Sequence, residues 1–374
     1  MSMKIVHIII GLNIGGAELM LKRLVLRSQK KGTFQHEVIS LMDLGSIGKD
    51  LQEQGITVHT LNMSSILSSP VVSLRLYKLL KNIKPDVVQT WMYHSDLIGG
   101  LAAKKLGVKN IIWGIRNSEI DSNSGIAKKV IRQACAGVSS FIPSSIVCVA
   151  NKAKEVHAAI GYDDQKMVVI PNGFDLSLFY PDEQKRERLR TQLNISPEEL
   201  VIGHMGRFAP AKNHINFIKA CLLLLDKGYR FKVFLGGRDV DLDNPKIAGL
   251  FANNSYKDSF VFLGQVQDTA VFYNAIDVFC LTSITEGFPN VLGEAMATQK
   301  VCLSTDAGDA KIILNDSGYH IPSTDYQDIA KTLEHNVLNA EPLQLETVAK
   351  KARLAIEKNY TLDKVVNDFE ALYR

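Results

Sequence analysis

This sequence has little that marks a specialised environment. Cysteine is scarce, with five residues in 374: Cys135, Cys148, Cys221, Cys280 and Cys302. Their number is odd, their spacing is wide, and most lie in apolar runs. That argues against a disulfide framework or a cysteine metal site, and for buried reduced thiols in a cytoplasmic protein. Long hydrophobic runs are missing as well. The apolar stretch at residues 5–10 is too short to span a bilayer and lacks a signal-peptide pattern, so neither a span nor a leader is expected. There are no low-complexity tracts and no convincing repeats. Neither G-x-G-x-x-G nor a P-loop occurs. What remains is a chain 46% apolar and 22% charged, the composition of a soluble globular protein, and a length that suits two domains.

The net charge of +4 is unevenly spread. Residues 1–170 carry 21 Lys+Arg against 12 Asp+Glu, which leaves 22 against 27 in the remainder. A basic half suits an anionic partner: nucleic acid, a phosphorylated substrate or an anionic membrane surface. A solvated surface with an accidental bias accounts for the charge equally well. No motif supports nucleic acid, and none is expected as a partner. Lys128, Lys129 and Arg132 share a predicted helix with Ile126, Val130 and Ile131, a basic amphipathic pattern that could lie on an anionic bilayer. Arg75, Lys78, Lys81 and Lys84 form a second basic series. Solvated helix faces are the simpler reading of both.

Strand and helix signals alternate throughout. Strands are expected at 4–10, 37–42, 57–61, 86–91, 110–115, 146–150 and 167–170, then at 200–204, 231–235, 260–263, 278–281 and 301–304. Amphipathic patterns lie between them, for example at 17–31, 73–83, 95–106, 213–226 and 289–298. Such alternation predicts an α/β protein with two doubly wound parallel sheets. A polar connector at 181–199 separates the halves. The expected domains are 1–175 and 176–359, with a helix at about 360–374 packing back on the first. In doubly wound sheets ligands bind at the strand carboxyl ends, so the informative residues are those just after strands.

Several motifs sit there. Gly11-Leu12-Asn13-Ile14-Gly15-Gly16-Ala17-Glu18 follows the first strand and opens a helix, offering backbone N–H groups to a pyrophosphate; a plain turn is the alternative. His94 follows the fourth strand and could serve chemistry or structure equally. Arg116, within Arg116-Asn117-Ser118-Glu119 after the fifth, could grip an acceptor phosphate or be a surface arginine. Pro171-Asn172-Gly173-Phe174-Asp175 is a turn. Arg207 and Lys212 bracket the loop after the eighth strand, where two cations could converge on one diphosphate and neutralise it as it leaves. Glu286-Gly287-Phe288-Pro289-Asn290-Val291-Leu292-Gly293-Glu294 reads as strand end, turn and helix start, with carboxylates flanking free N–H groups. Asp306-Ala307-Gly308-Asp309 reads as a further turn before a helix.

Taken in order, Gly15-Gly16-Ala17-Glu18, Pro171-Asn172-Gly173-x-Asp175, Gly206-Arg207-x4-Lys212 and Glu286-x7-Glu294 resemble the retaining glycosyltransferases of family 4, which have the GT-B fold. Gln89 to Asp96 and Trp113 to Asn117 resemble the members that build bacterial surface polysaccharides. The resemblance implies a UDP-sugar donor, with an N-acetylhexosamine as a candidate sugar, and a glycan or lipid-diphosphate-linked acceptor, with peripheral attachment to an anionic membrane. It implies that Arg207 and Lys212 hold the diphosphate in place of a metal, and that no cofactor is needed. Glu294 would take the ribose hydroxyls and Glu286 the transferred sugar. Phe288, Asn290 and Val291 would touch sugar or phosphate through backbone groups, and Val266 the base. Gly16 would meet the donor phosphate, with Gly15 and Arg116 on the acceptor side, and His94 would approach the sugar. Two positions depart from the family pattern: Pro289 stands where Gly is common, and Ala297-Thr298-Gln299-Lys300 replaces Ala-x-Gly-x-Pro. A sugar-nucleotide epimerase of the same architecture, or a non-catalytic sugar-nucleotide-binding subunit, is the alternative.

Overall fold

A computed structural model describes residues 2–64, 69–118, 126–252 and 254–374. Glu119 of the Arg116 motif therefore lies outside the described residues. The chain forms two compact units, Met1–Gly173 with Leu362–Arg374, and Phe174–Thr361.

The first unit holds β1 (Met3–Ile9), β2 (Phe34–Ser40), β3 (Thr57–Thr60), β4 (Val87–Trp91), β5 (Asn110–Ile115), β6 (Ser145–Cys148) and β7 (Met167–Val169). They pair in the order β3-β2-β1-β4-β5-β6-β7, all parallel. Parallel strands need crossover helices, which cover both faces, so the central strands β1 and β4 are buried along most of their length rather than alternating. The strand order reverses between β1 and β4. Loops leaving the carboxyl ends of those two strands diverge to opposite sides and leave a crevice.

The last helix, Leu362–Tyr373, belongs to this unit and is tied in by a buried polar chain. Trp91 Nε1 lies 3.3 Å from His7 Nδ1. His7 Nε2 is 2.9 Å from His36 Nδ1, and His36 Nε2 is 2.9 Å from Ser28 Oγ. Ser28 Oγ donates to Glu370 Oε1 at 2.8 Å. An indole N–H can only donate and a carboxylate only accept, so every proton in the chain points from Trp91 towards Glu370. Both imidazoles are thereby fixed as neutral Nε2–H tautomers. Arg27 adds a two-point contact to Asp363, at 2.6 and 2.7 Å, on the surface.

The second unit holds β8 (Val201–Met205), β9 (Lys232–Gly236), β10 (Phe260–Phe262), β11 (Val278–Leu281), β12 (Val301–Ser304) and β13 (Tyr319–His320). Their order is β10-β9-β8-β11-β12-β13, again all parallel, with the reversal between β8 and β11. Two features differ from expectation. The connector at 181–199 contains a helix, Glu183–Gln192, whose one buried residue is Arg190. Its guanidinium donates to the carbonyls of Ala275, Ser196, Pro197 and Glu199 and to Asp277 Oδ2. A charged side chain supplies the anchor, so no apolar periodicity betrays this helix. The two-residue edge strand β13 is too short to leave a pattern.

The departure at Gln299 leaves the loop after its helix intact. Gln299 N–H donates to Met296 O and Lys300 N–H to Ala295 O, at 3.0 and 3.1 Å. This is the paired bonding of a Schellman helix end. Gln299 takes the left-handed conformation the motif requires, φ 59°, without being glycine.

The buried histidines make stability depend on acid. Burial pushes His36 down to about 4, and burial together with His36 holds His7 well below its ordinary value. The unfolded chain therefore protonates first, so stability is complete above about pH 6.5 and falls as the pH drops from there towards 4. Urea unfolding across this range should show that slope. Ser28→Ala, which interrupts the chain and leaves Glu370 Oε1 without its donor while Lys31 keeps Oε2 at 3.1 Å, should cost about 1–3 kcal/mol at pH 7.

Candidate active site

At the reversal point of the second sheet, the loops after β8 and β11 are fastened together. Ile284 N–H donates to Ala211 O at 2.8 Å. Lys212 Nζ donates to Glu286 Oε1 at 2.5 Å, and Ser283 Oγ donates to the same oxygen at 2.7 Å. Two residues expected on neighbouring parts of the donor, Lys212 on the diphosphate and Glu286 on the sugar, thus form a partly buried ion pair. Arg207, on the same loop as Lys212, is exposed. The loop's path is set from behind by Gly237, whose φ is 145°: a Cβ there would lie 1.9 Å from Gly206 O. Gly308, at φ 60°, does the same for the other loop, where a Cβ would come within 2.3 Å of Gly287 O. The Asp306–Asp309 turn is therefore a prop for the Glu286 turn as well as a helix lead-in.

The helix of this site runs Asn290–Ala297, with Pro289 as its N-cap at φ −77°. Pro289 stands one residue ahead of the first helical position expected for it, and its missing N–H lies outside the helix. Phe174 packs so closely on Gly293 that a Cβ there would lie 2.0 Å from its ring. Phe288 stacks on Phe174 with centroids 6.1 Å apart, and meets Tyr360 at 6.0 Å. The Phe174 turn thus reaches the site as an apolar wedge, and the Phe288 side chain is an anchor. Glu294, 8% exposed, lies beside Tyr273, whose phenol is pushed well above its usual range by burial and then by that carboxylate. Asn290 and Val291 are half-buried on the first turn. Val266 is half-buried beside Gly236, where a Cβ would lie 3.0 Å from its Cγ2.

In the first unit, Gly15 caps the helix Gly16–Lys31 in extended conformation, φ −161°. Glu18 folds back on it: a Cβ at Gly15 would lie 2.3 Å from Glu18 Oε2. Burial raises the Glu18 carboxyl. After β4, Met92 has φ 69° and ψ 156°, a conformation costing a non-glycine residue on the order of 1–3 kcal/mol. His94 follows in the first turn of the helix Tyr93–Lys105, half-buried. Burial and then Lys128 lower its proton affinity, so it is a neutral imidazole at pH 7. Arg116 is not a surface-loop arginine. Its guanidinium stacks 5.2 Å from the Trp91 ring and donates to Asn172 Oδ1, while Nε and Nη1 are buried without a partner. The basic patterns divide: Arg75, Lys78, Lys81 and Lys84 are exposed, as are Lys128 and Lys129, but Arg132 is buried.

One expectation is corrected by the sequence itself: transfer without a metal goes with the absence of an Asp-x-Asp signature, yet Asp239-Val240-Asp241-Leu242-Asp243 is an Asp-x-Asp run after β9. Asp241 Oδ1 accepts from the N–H groups of Asp243 and Asn244, at 3.1 and 3.2 Å, shaping the turn into the helix Pro245–Phe251. Among the described residues no three of His, Cys, Asp and Glu come together as a metal site, this run included. Tyr273 and Gly237 carry no signal in the sequence, one being a tyrosine in a buried helix and the other a glycine after a strand.

The description Glycosyltransferase Family 4 matches residues 14–178, and Glycosyl transferases group 1 matches residues 185–355. The first covers most of the first unit and runs five residues into the second, and the other lies within the second unit. The chain belongs to glycosyltransferase family 4. This glycosyltransferase is 26% identical over 304 residues, 80% of its length and 78% of the relative's, to the UDP-Gal:alpha-D-GlcNAc-diphosphoundecaprenol alpha-1,3-galactosyltransferase of Escherichia coli. It is 28% identical over 284 residues, 72% of its length and 73% of the relative's, to the N,N'-diacetylbacillosaminyl-diphospho-undecaprenol alpha-1,3-N-acetylgalactosaminyltransferase of Campylobacter jejuni. Its fold matches that of Anabaena HepE, solved in complex with UDP, with a TM-score of 0.86 over 99% of both chains at 18% identity. The fold is thus GT-B. Membership sets aside the epimerase and non-catalytic readings.

The glycine props have a direct test. Gly237→Ala forces either a collision with Gly206 O or a shift of the loop bearing Arg207 and Lys212. Thermal unfolding should show a loss of about 1–3 kcal/mol, and turnover should fall further than the lost stability explains.

Proposed function

We propose that this glycosyltransferase moves a sugar from a UDP-sugar, with retention at the anomeric carbon, to a lipid-diphosphate-linked glycan in the assembly of bacterial surface polysaccharide. The observation that carries the reading is the fastening of Lys212 to Glu286, with Arg207 on the same loop, at the reversal point of the second sheet. The relatives that act on diphosphoundecaprenol acceptors, and the UDP complex of a protein with the same fold, support the choice of donor and acceptor.

The ion pair suggests how the site is used. A donor diphosphate entering beside Arg207 would draw Lys212 away from Glu286 and free that carboxylate for the sugar. The bond between the anomeric carbon and the phosphate oxygen breaks, and the acceptor oxygen bonds to that carbon on the same face. The acceptor proton passes to the departing phosphate oxygen. Arg207 and Lys212 take up the charge that grows on the leaving group. In this reading they do the work of a metal, so turnover should survive chelators. Glu294 accepts from the ribose diol, Val266 meets the base, and backbone groups of Phe288, Asn290 and Val291 meet sugar or phosphate. Gly16 and His94 contribute from the first unit, Gly16 at the donor phosphate and His94 as a neutral imidazole at the sugar. Gly15 and Arg116 belong to the acceptor side.

Because leaving-group charge peaks in the transition state, Lys212→Ala and Arg207→Ala should each lower kcat more than they raise the donor KM, by about 100-fold or more in kcat. UDP release measured with a panel of UDP- and GDP-sugars and a lipid-diphosphate acceptor checks this and identifies the donor. A matched loss in affinity with kcat unchanged would remove the assignment.

We further propose that the basic first unit rests on an anionic membrane. No helix among the described residues is long and apolar enough to cross one. The helix Ile126–Val138 exposes Ile126 and Val130 beside Lys128 and Lys129, with Phe141 exposed just beyond it. Liposome flotation should recover the protein with anionic vesicles and not with neutral ones, and Lys128→Glu with Lys129→Glu should abolish recovery.

A further inference from the structure

The loop from Gly206 to Lys212 is tied at both ends by histidines that none of the roles above uses. His204 is the fourth residue of β8, just before the loop; His214 opens the helix His214–Asp226, just after it. The ties cross. His204 Nε2 lies 3.2 Å from Lys212 O, at the loop's far end, and 3.1 Å from Thr282 Oγ1. His214 Nε2 lies 3.0 Å from Gly206 O, at its near end. A carbonyl can only accept, so both rings carry their proton on Nε2 and leave Nδ1 bare. Both Nδ1 atoms are buried without a partner. The rings sit 4.5 Å apart, closed in by Phe217 at 4.9 Å from His204 and Phe208 at 5.6 Å from His214. Asn213, between loop and helix, is left-handed at φ 58° and is held by its Nδ2 donating to Thr324 O at 2.7 Å.

We propose that His204 and His214 are positioning residues for the donor diphosphate: a crossed pair of neutral imidazoles that holds the loop carrying Arg207 and Lys212 in the shape that presents both cations. The pair must stay uncharged to do this. A proton on either Nδ1 would find no acceptor and would face the other imidazole, with Lys212 as the nearby charge. Burial lowers both rings, helped by His214 and Lys212 at His204 and by Lys212 at His214, which falls to about 4, so the clamp is intact at neutral pH. The ties set the direction of two charges and touch neither nucleoside nor sugar. The inference rests on the proposed binding of the diphosphate by Arg207 and Lys212.

Calorimetry with UDP and with uridine separates the two contributions, because only UDP carries the phosphates. His214→Phe keeps a ring of similar volume and loses the donor; it should reduce the ratio of UDP to uridine affinity by about tenfold, the worth of a displaced charge-assisted contact, and leave uridine unchanged. His214→Gln, whose amide N–H can reach Gly206 O, should restore most of the ratio. Should His214→Phe not fold, His214→Asn, too short to reach that carbonyl, carries the same expectation. An unchanged ratio in a folded His214 variant, beside a fall in Lys212→Ala, overturns the proposal alone. A ratio indifferent to Lys212→Ala overturns the diphosphate reading and the proposal with it.

Discussion

The ion pair between Lys212 and Glu286 depends on most of what surrounds it. Two loops from neighbouring strands must meet, and they do so where the order of the second sheet reverses. Each loop is backed by a glycine at positive φ, Gly237 behind one and Gly308 behind the other, at distances no side chain would allow. Under the proposed function, a charged pair held this way is a latent site. Each member is satisfied while no ligand is present, and an anion can exchange itself for the carboxylate at little net cost in buried charge.

The architecture was legible because parallel sheets announce themselves. Buried strands read as short apolar runs, and twelve of the thirteen strands follow from those runs and the helical patterns between them. The charged residues Arg207, Lys212, Glu286 and Glu294 draw attention for a related reason: charged residues that stand just after such runs have few structural excuses. What escaped has no local signal. The connector helix is anchored by Arg190, a residue type that reads as solvent-facing until its five acceptors are seen. Arg116 reads as a loop residue until Trp91 and Asn172 are found around it. Gln299 stands where glycine was expected, and the backbone takes the left-handed turn regardless, because the two helix-end hydrogen bonds outweigh the strain of one residue.

The histidines divide along the same line. His94 stands after a strand and draws attention by position. His7, His36, His204 and His214 lie on strands or at a buried helix start, where a single imidazole reads as a core residue. Only their pairing in space, His7 with His36 and His204 with His214, shows that each joins backbone or side chains from different elements. Nitrogen atoms that can each carry or lack a proton let such pairs be wired in one sense only.

The helix Leu362–Tyr373 completes the first unit, yet it is made only after the whole of the second. Until Glu370 has left the ribosome, the proton chain from Trp91 has no terminus and the apolar faces that meet Phe369 and Tyr373 have no cover. The second unit is different. Its ends meet, Phe174 bonding to Tyr360 O at 2.9 Å and lying beside Thr361, so it is a closed excursion from the first. In synthesis the inserted unit can therefore finish before its host, and the first sheet is sealed by a helix made after that unit.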